Sequence, residues 1–147
     1  MSFVVYRQQS LLPEMAIIEP ECHLWGDTFS PSHLRQLVPA IQMRLLTEPG
    51  EIQAKGKYRG QPAPYGACCV TTPEEIEVRH RIEWMADYIA ANLPFFKAAG
   101  ATDIIYWLYW TGLQGNMEFK PSEIRKIANL DIPLCINYIQ EAEDQGG

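Results

Sequence analysis

The chain has 147 residues and a formal net charge of −6, with 47% hydrophobic and 20% charged residues. That length fits one domain around one core, and that composition belongs to a folded chain, not a disordered one. The negative balance speaks against nucleic acid as a partner and for a basic protein. No apolar run reaches the ~20 residues of a membrane span, and residues 1–12 lack the basic-then-apolar order of a secretory leader, so a cytoplasmic protein is expected.

Residues 3–6 form a short apolar run suited to an edge strand. In residues 15–25, Glu19, Glu21 and His23 alternate with Ile18, Cys22 and Leu24, which is the period of a strand with one buried face. Pro20 lacks a ladder donor, so this strand or its first half is expected at an edge. A turn at Gly26–Asp27 leads to Ser30 as N-cap and Pro31 in the first helical turn, with Leu34, Leu37 and Val38 facing inward and Pro39 stopping the helix. Residues 43–47 and 67–71 read as paired strands. Between them, residues 48–66 form a long irregular loop rich in glycine and proline, with the cations Lys55, Lys57 and Arg59.

Thr72 and Pro73 look like the start of the next helix, whose Ile82, Met85, Ile89 and Leu93 recur at helical spacing. Pro94 predicts a break or kink near Asn92 and Leu93, with the helix ending at Gly100. Residues 102–110 read as the central strand, residues 122–130 as a helix and residues 134–139 as the last strand. The acidic tail, residues 141–147, reads as frayed. The order β-α-β-β-α-β-α-β predicts a single α+β domain: a two-layer sandwich whose mainly antiparallel sheet carries its helices on one face.

No motif for chemistry emerges. There is no G-x-S-x-G nucleophile elbow and no phosphate loop. His80 is flanked by Arg79 and Arg81, which disfavours a metal there. The cysteines Cys22, Cys68, Cys69 and Cys135 lack C-x-x-C spacing and read as reduced thiols. A zinc site from Cys68, Cys69 and one of His23, His33 or His80 has no support in the spacing. No catalytic residue, metal or cofactor is therefore assigned.

The segment 103–111, D-I-I-Y-W-L-Y-W-T, is apolar on both faces. Ile104, Tyr106, Leu108 and Trp110 share one face; Ile105, Trp107 and Tyr109 share the other. Helices cover only one face of a two-layer fold. The second face must meet the 48–66 loop, the N-terminal residues or another molecule. Alternation adds Glu19, Glu21, His23 and Trp25 from the first strand to that face, and Cys135 and Asn137 from the last. Aromatic anchors with acidic neighbours suit a basic protein partner.

From Leu24 onward the pattern resembles a widespread, uncharacterised bacterial family of small α/β domains of unknown function. The matching stretches are L-W-G-D-T-F-S-P-S-H-L (residues 24–34), K-G-K-Y-R-G (55–60) and N-M-E-F-K-P-S-E-I-R-K-I-A-N-L-D-I-P-L-C-I-N-Y (116–138). Some members look like immunity proteins paired with bacterial toxins, and no catalytic residues come with the resemblance. Acidic charge, small size, the lack of a catalytic motif and the surplus aromatic face, beside that resemblance, lead to the expectation of a non-catalytic immunity-type inhibitor that binds a basic toxin domain through the open-face residues Glu19, Glu21, His23, Trp25, Trp107, Tyr109 and Asn137. Two alternatives stand beside it. One is a small-ligand binder or enzyme with a site under the 48–66 loop, using Lys55, Lys57 and Arg59. The other is a homodimer joined through the open face.

Overall fold

The computed structural model describes residues 17–112 and 117–140. The apolar run at residues 3–6 and the acidic tail lie outside them. The elements are β1 (Ile17–Gly26), α1 (Pro31–Leu37), β2 (Met43–Thr47), β3 (Gly66–Thr71), α2 (Arg81–Ala98), β4 (Asp103–Gly112), α3 (Pro121–Asn129) and β5 (Leu134–Gln140). A single 3-10 turn, Val78–His80, runs directly into α2. The five strands form one sheet in the order β2-β3-β1-β4-β5. All neighbours are antiparallel except β4 and β5, which α3 links as a parallel pair. The expected two-layer α+β sandwich is what forms.

The helices bury their apolar stripes on one face of this sheet. Ile18, Cys22 and Leu24 of β1 meet Cys68 and Val70 of β3 and Ile104, Tyr106 and Leu108 of β4. Leu34 of α1, Ile82, Met85, Ala86, Ile89 and Phe96 of α2, and Ile127 of α3 close over them. Each wholly buried Leu, Ile, Met or Phe contributes about 1.5–3 kcal/mol. The hydroxyl of the fully buried Tyr106 donates to the Ile82 carbonyl at 2.8 Å, which satisfies it at the first turn of α2.

The strand at the centre is β1, not residues 102–110; β4 is one place from the edge. Pro20 fits an interior strand because the ladders are staggered. On the β4 side Pro20 pairs with Leu108, whereas on the β3 side pairing begins only at Glu21 with Thr71. The first residues of β1 therefore have a neighbour on one side only, and there Pro20 accepts a hydrogen bond from Thr72 Oγ1 at its carbonyl, 3.3 Å away.

That contact also explains why no helix begins at Thr72. Its hydroxyl is spent on β1, and Arg81 holds the following segment by donating to the carbonyls of Ile76 (2.8 Å) and Glu74 (3.0 Å). The α-helix starts at Arg81. It then continues unbroken through Pro94, so the break expected near Asn92 does not occur. Pro94 and Ala90, whose carbonyl loses its intrahelical donor, are both exposed, so water can serve that carbonyl. The helix ends at Ala98, two residues short of the expected Gly100, which takes φ 105° in the turn that follows.

Residues 48–66 are not structureless. Paired backbone bonds (Gly50 N to Ala63 O and Ala63 N to Glu51 O, both 2.8 Å) fold them into a narrow ribbon. Bridges between Ile52 and Pro62 and between Gln53 and Arg59 extend it. Glu48 anchors its base to α1, accepting from Ser30 Oγ at 2.8 Å and from the Ser32 amide at 2.7 Å. Two glycines let the chain cross here. A Cβ on Gly66 would lie 1.7 Å from the Phe29 carbonyl oxygen, and one on Gly100 would lie 2.7 Å from that of Thr28.

Candidate functional site

The second sheet face carries rows of cross-strand neighbours. Glu19, Tyr109 and Asn137 form one row and Glu21, Trp107 and Cys135 the next. His23 lies between Ile105 and Cys69, and Arg44 of β2 extends that row beyond Cys69. Trp25 is flanked by Asp103 and Ala67. Strand pairing thus places all seven residues expected at the partner-binding surface on one face. Among the described residues, no helix packs there: the core partners of α1, α2 and α3 all lie on the opposite side.

The centre of this face is a polar network tied to aromatic rings. The Glu21 carboxylate accepts from Arg44 Nε at 2.8 Å and Nη2 at 3.0 Å, and from His23 Nε2 at 3.1 Å. The His23 ring stacks on Trp107 with centroids 4.2 Å apart and planes 10° from parallel. Tyr109 tilts against both, at 6.2 Å from His23 and 6.1 Å from Trp107. Trp107 and Tyr109 are each half-buried. The indole Nε1 of Trp107 is shielded from solvent and has no acceptor. Such a donor is costly to leave unmet.

The carboxylates are spoken for within the molecule. Burial pushes the Glu21 carboxyl up, but the hydrogen bonds from His23 and Arg44 together hold it below its ordinary value. Glu19 is raised, chiefly by burial, despite a 2.8 Å ion pair with Arg81. The acidic steering surface expected from Glu19 and Glu21 is therefore largely neutralised by Arg81 and Arg44. What the face presents outward is aromatic, with the exposed guanidinium of Arg44 beside it.

The thiols divide between the two faces. Cys68 points into the core, 3.6 Å from Met43 Sδ, and Cys69 points to the open face. A zinc site using both is thus ruled out by the alternation of β3. Cys69 instead joins Glu21 and His23: one carboxylate oxygen, one imidazole nitrogen and the Sγ atom all lie within 4.8 Å of one another. Burial raises the Cys69 thiol to about 11, with the Glu21 charge adding to the effect. Burial likewise raises Cys68 to about 12. A neutral thiol is a poor nucleophile, so proximity to His23 does not make a primed Cys–His pair.

His33 and His80 lie elsewhere, on α1 and in the 3-10 turn. Lys55, Lys57 and Arg59 are exposed on the 48–66 ribbon, and Lys57 Nζ sits 5.5 Å over the Tyr58 ring. The concavity of about 340 Å³ at the base of this ribbon is lined by Trp25, Tyr65 and Ala67, not by these cations. Arg44 escapes a reading of the sequence, and Cys69 is weighed there only beside Cys68, in a zinc site that the spacing does not support. Alternation assigns each to a face once its strand is known, but the register that brings them to Glu21 and His23 is a tertiary fact.

Among the described residues, no helix is long and apolar enough to cross a membrane. Comparison with protein-family models, with curated proteins and with solved structures found no match. The fold and face define an α+β sandwich with an aromatic patch on the sheet side opposite α1, α2 and α3.

Proposed function

We propose that this is a non-catalytic binding protein that holds a protein partner on the open face, and that it acts as an immunity-type inhibitor of a toxin domain. The observation that carries this reading is the set Trp25, Trp107 and Tyr109 on a face that, among the described residues, no helix covers, with Trp107 held by the His23 stack. Rigid amphipathic rings lose little entropy on binding and dominate interface energetics. The net charge of −6 favours a basic partner through long-range steering, since Glu19 and Glu21 are already paired.

The test uses a purified basic toxin domain and cells that express it. Wild-type chain should form a complex by calorimetry and restore growth. Trp107→Ala or Tyr109→Ala should weaken binding by about 2 kcal/mol, roughly 30-fold. Variants that bind and rescue like wild type would remove both rings from the interface. A thermal-shift response to a small metabolite, abolished by substituting Lys55, Lys57 and Arg59, would favour the ligand-binding alternative. A dimer in light scattering that Trp107→Ala dissociates would favour self-association.

A further inference from the structure

We infer that Glu21, His23 and Cys69 form a binding site for a thiophilic divalent metal ion of the zinc class, with a fourth coordination position left for water. The inference does not rest on partner docking, although Glu21 and His23 share the proposed docking face.

The three residues have the chemistry of a mixed zinc site: one carboxylate, one imidazole and one thiol. Strand geometry places them together. Glu21 and His23 are two apart on β1 and so share a face, and Cys69 is the cross-strand neighbour of His23 on β3. Both strands lie in the interior of the sheet, so the donors sit on rigid backbone.

The spacing is close to what a tetrahedral ion requires. Bonds of ~2.0–2.2 Å to nitrogen and oxygen set those two donors roughly 3.3 Å apart. His23 Nε2 and Glu21 Oε1 are already 3.1 Å apart, with one shared proton between them. A zinc ion can replace that proton with almost no movement. A Zn–S bond of ~2.3 Å puts sulfur roughly 3.6 Å from the other donors. The thiol, within 4.8 Å of both, must close by about 1 Å, which a small χ1 rotation supplies.

The proton and charge balance is simple. Imidazole coordinates through Nε2 and carries its proton on Nδ1. The thiol releases its proton to solvent and binds as thiolate. Carboxylate and thiolate then neutralise the dication. Arg44 gives up Oε1 but keeps its 2.8 Å bond to Oε2, where it orients the carboxylate from outside the coordination shell. The stack on Trp107 fixes the imidazole plane in the same way.

The experiment is a titration of the full, reduced chain with Co²⁺ alone, followed by absorbance. One equivalent should produce a thiolate-to-cobalt charge-transfer band together with visible tetrahedral bands, and Zn²⁺ should bleach them. Cys69→Ser should abolish the charge-transfer band, and His23→Gln should weaken binding at least tenfold, as each removes a ligand outright. Cys135→Ser should leave the spectrum unchanged. Circular dichroism checks that each variant is folded, with Cys69→Ala as a second replacement if the serine variant is not. No band at stoichiometric metal, a band that survives loss of Cys69, or a band that disappears with Cys135 would overturn the assignment. Metal binding without partner binding, or the reverse, separates this site from the docking function.

Discussion

Removing Arg44 tests how the open face is held together. Glu21 is only 5% exposed, and Arg44 supplies two of its three side-chain hydrogen bonds. In Arg44→Ala the carboxylate stays buried with His23 alone. Breaking a fully buried ion pair costs ~3–5 kcal/mol. The Arg44 side chain is 42% exposed, so solvent already screens part of the pair and water can replace part of it. About 2 kcal/mol is therefore expected at neutral pH. For a domain of this size that lowers Tm by ~4–8 °C.

The pH dependence gives the sharper result. In the wild type Glu21 titrates below its ordinary value, so its stabilising contribution is present above the unfolded-state pKa and lost as pH falls through the folded one. Without Arg44 the carboxyl loses two of the effects that hold it down, its hydrogen bond and its charge, and moves upward against the same burial. Its ionised form then contributes less to folding than in the wild type, and protonation removes the difference. The difference between wild type and Arg44→Ala should be greatest near pH 7 and shrink towards zero as the pH drops below ~4. Urea unfolding at a series of pH values measures this, and Glu21→Gln should remove most of the dependence. A penalty that is flat from pH 7 to pH 3 would refute the electrostatic account.

Three further outcomes follow from particular contacts. Gly66→Ala should cost more than about 4 kcal/mol, or prevent folding, because a Cβ there overlaps the Phe29 carbonyl; calorimetric unfolding showing less than about 1 kcal/mol would mean that the crossing is loose. Tyr106→Phe should lower stability by about 1–2 kcal/mol in urea unfolding, since the Ile82 carbonyl loses a buried donor, and an unchanged midpoint would show that bond to be expendable. Of the cysteines, Cys22, Cys68 and Cys69 are buried and Cys135 is half-buried. A thiol reagent should therefore modify Cys135 first in the folded protein, with the others following only in denaturant; equal rates would contradict the burial of Cys22, Cys68 and Cys69.

Much of the layer structure is legible in the chain. Period-two alternation separates Ile18, Cys22 and Leu24 from Glu19, Glu21, His23 and Trp25, and the structure keeps that division, because a strand has only two faces. The stripe Ile82, Met85, Ile89 seats α2 for the same kind of reason. Local signals fail where a distant contact takes precedence. Thr72 has the chemistry of a cap but bonds to Pro20. Pro20 suggests an edge but needs only one unpaired side, which the stagger of β3 provides. The site is less legible still. Arg44 and Cys69 sit in short strands with no motif, and their meeting with Glu21 and His23 depends on pairing β1 with β3 and β3 with β2. Sequence spacing carries no trace of that register.

The crossing beneath the ribbon has an evolutionary consequence. Gly66, the first residue of β3, presses against the backbone of Phe29, and Gly100, in the turn after α2, against that of Thr28 and Phe29, where no side chain of any kind can be accommodated. Selection can redesign the aromatic face for a new partner, or lengthen the ribbon, without disturbing that point. Descendants that retain this architecture are thus bound to retain both glycines. Two invariant glycines framing an otherwise drifting chain would be its most durable mark of kinship.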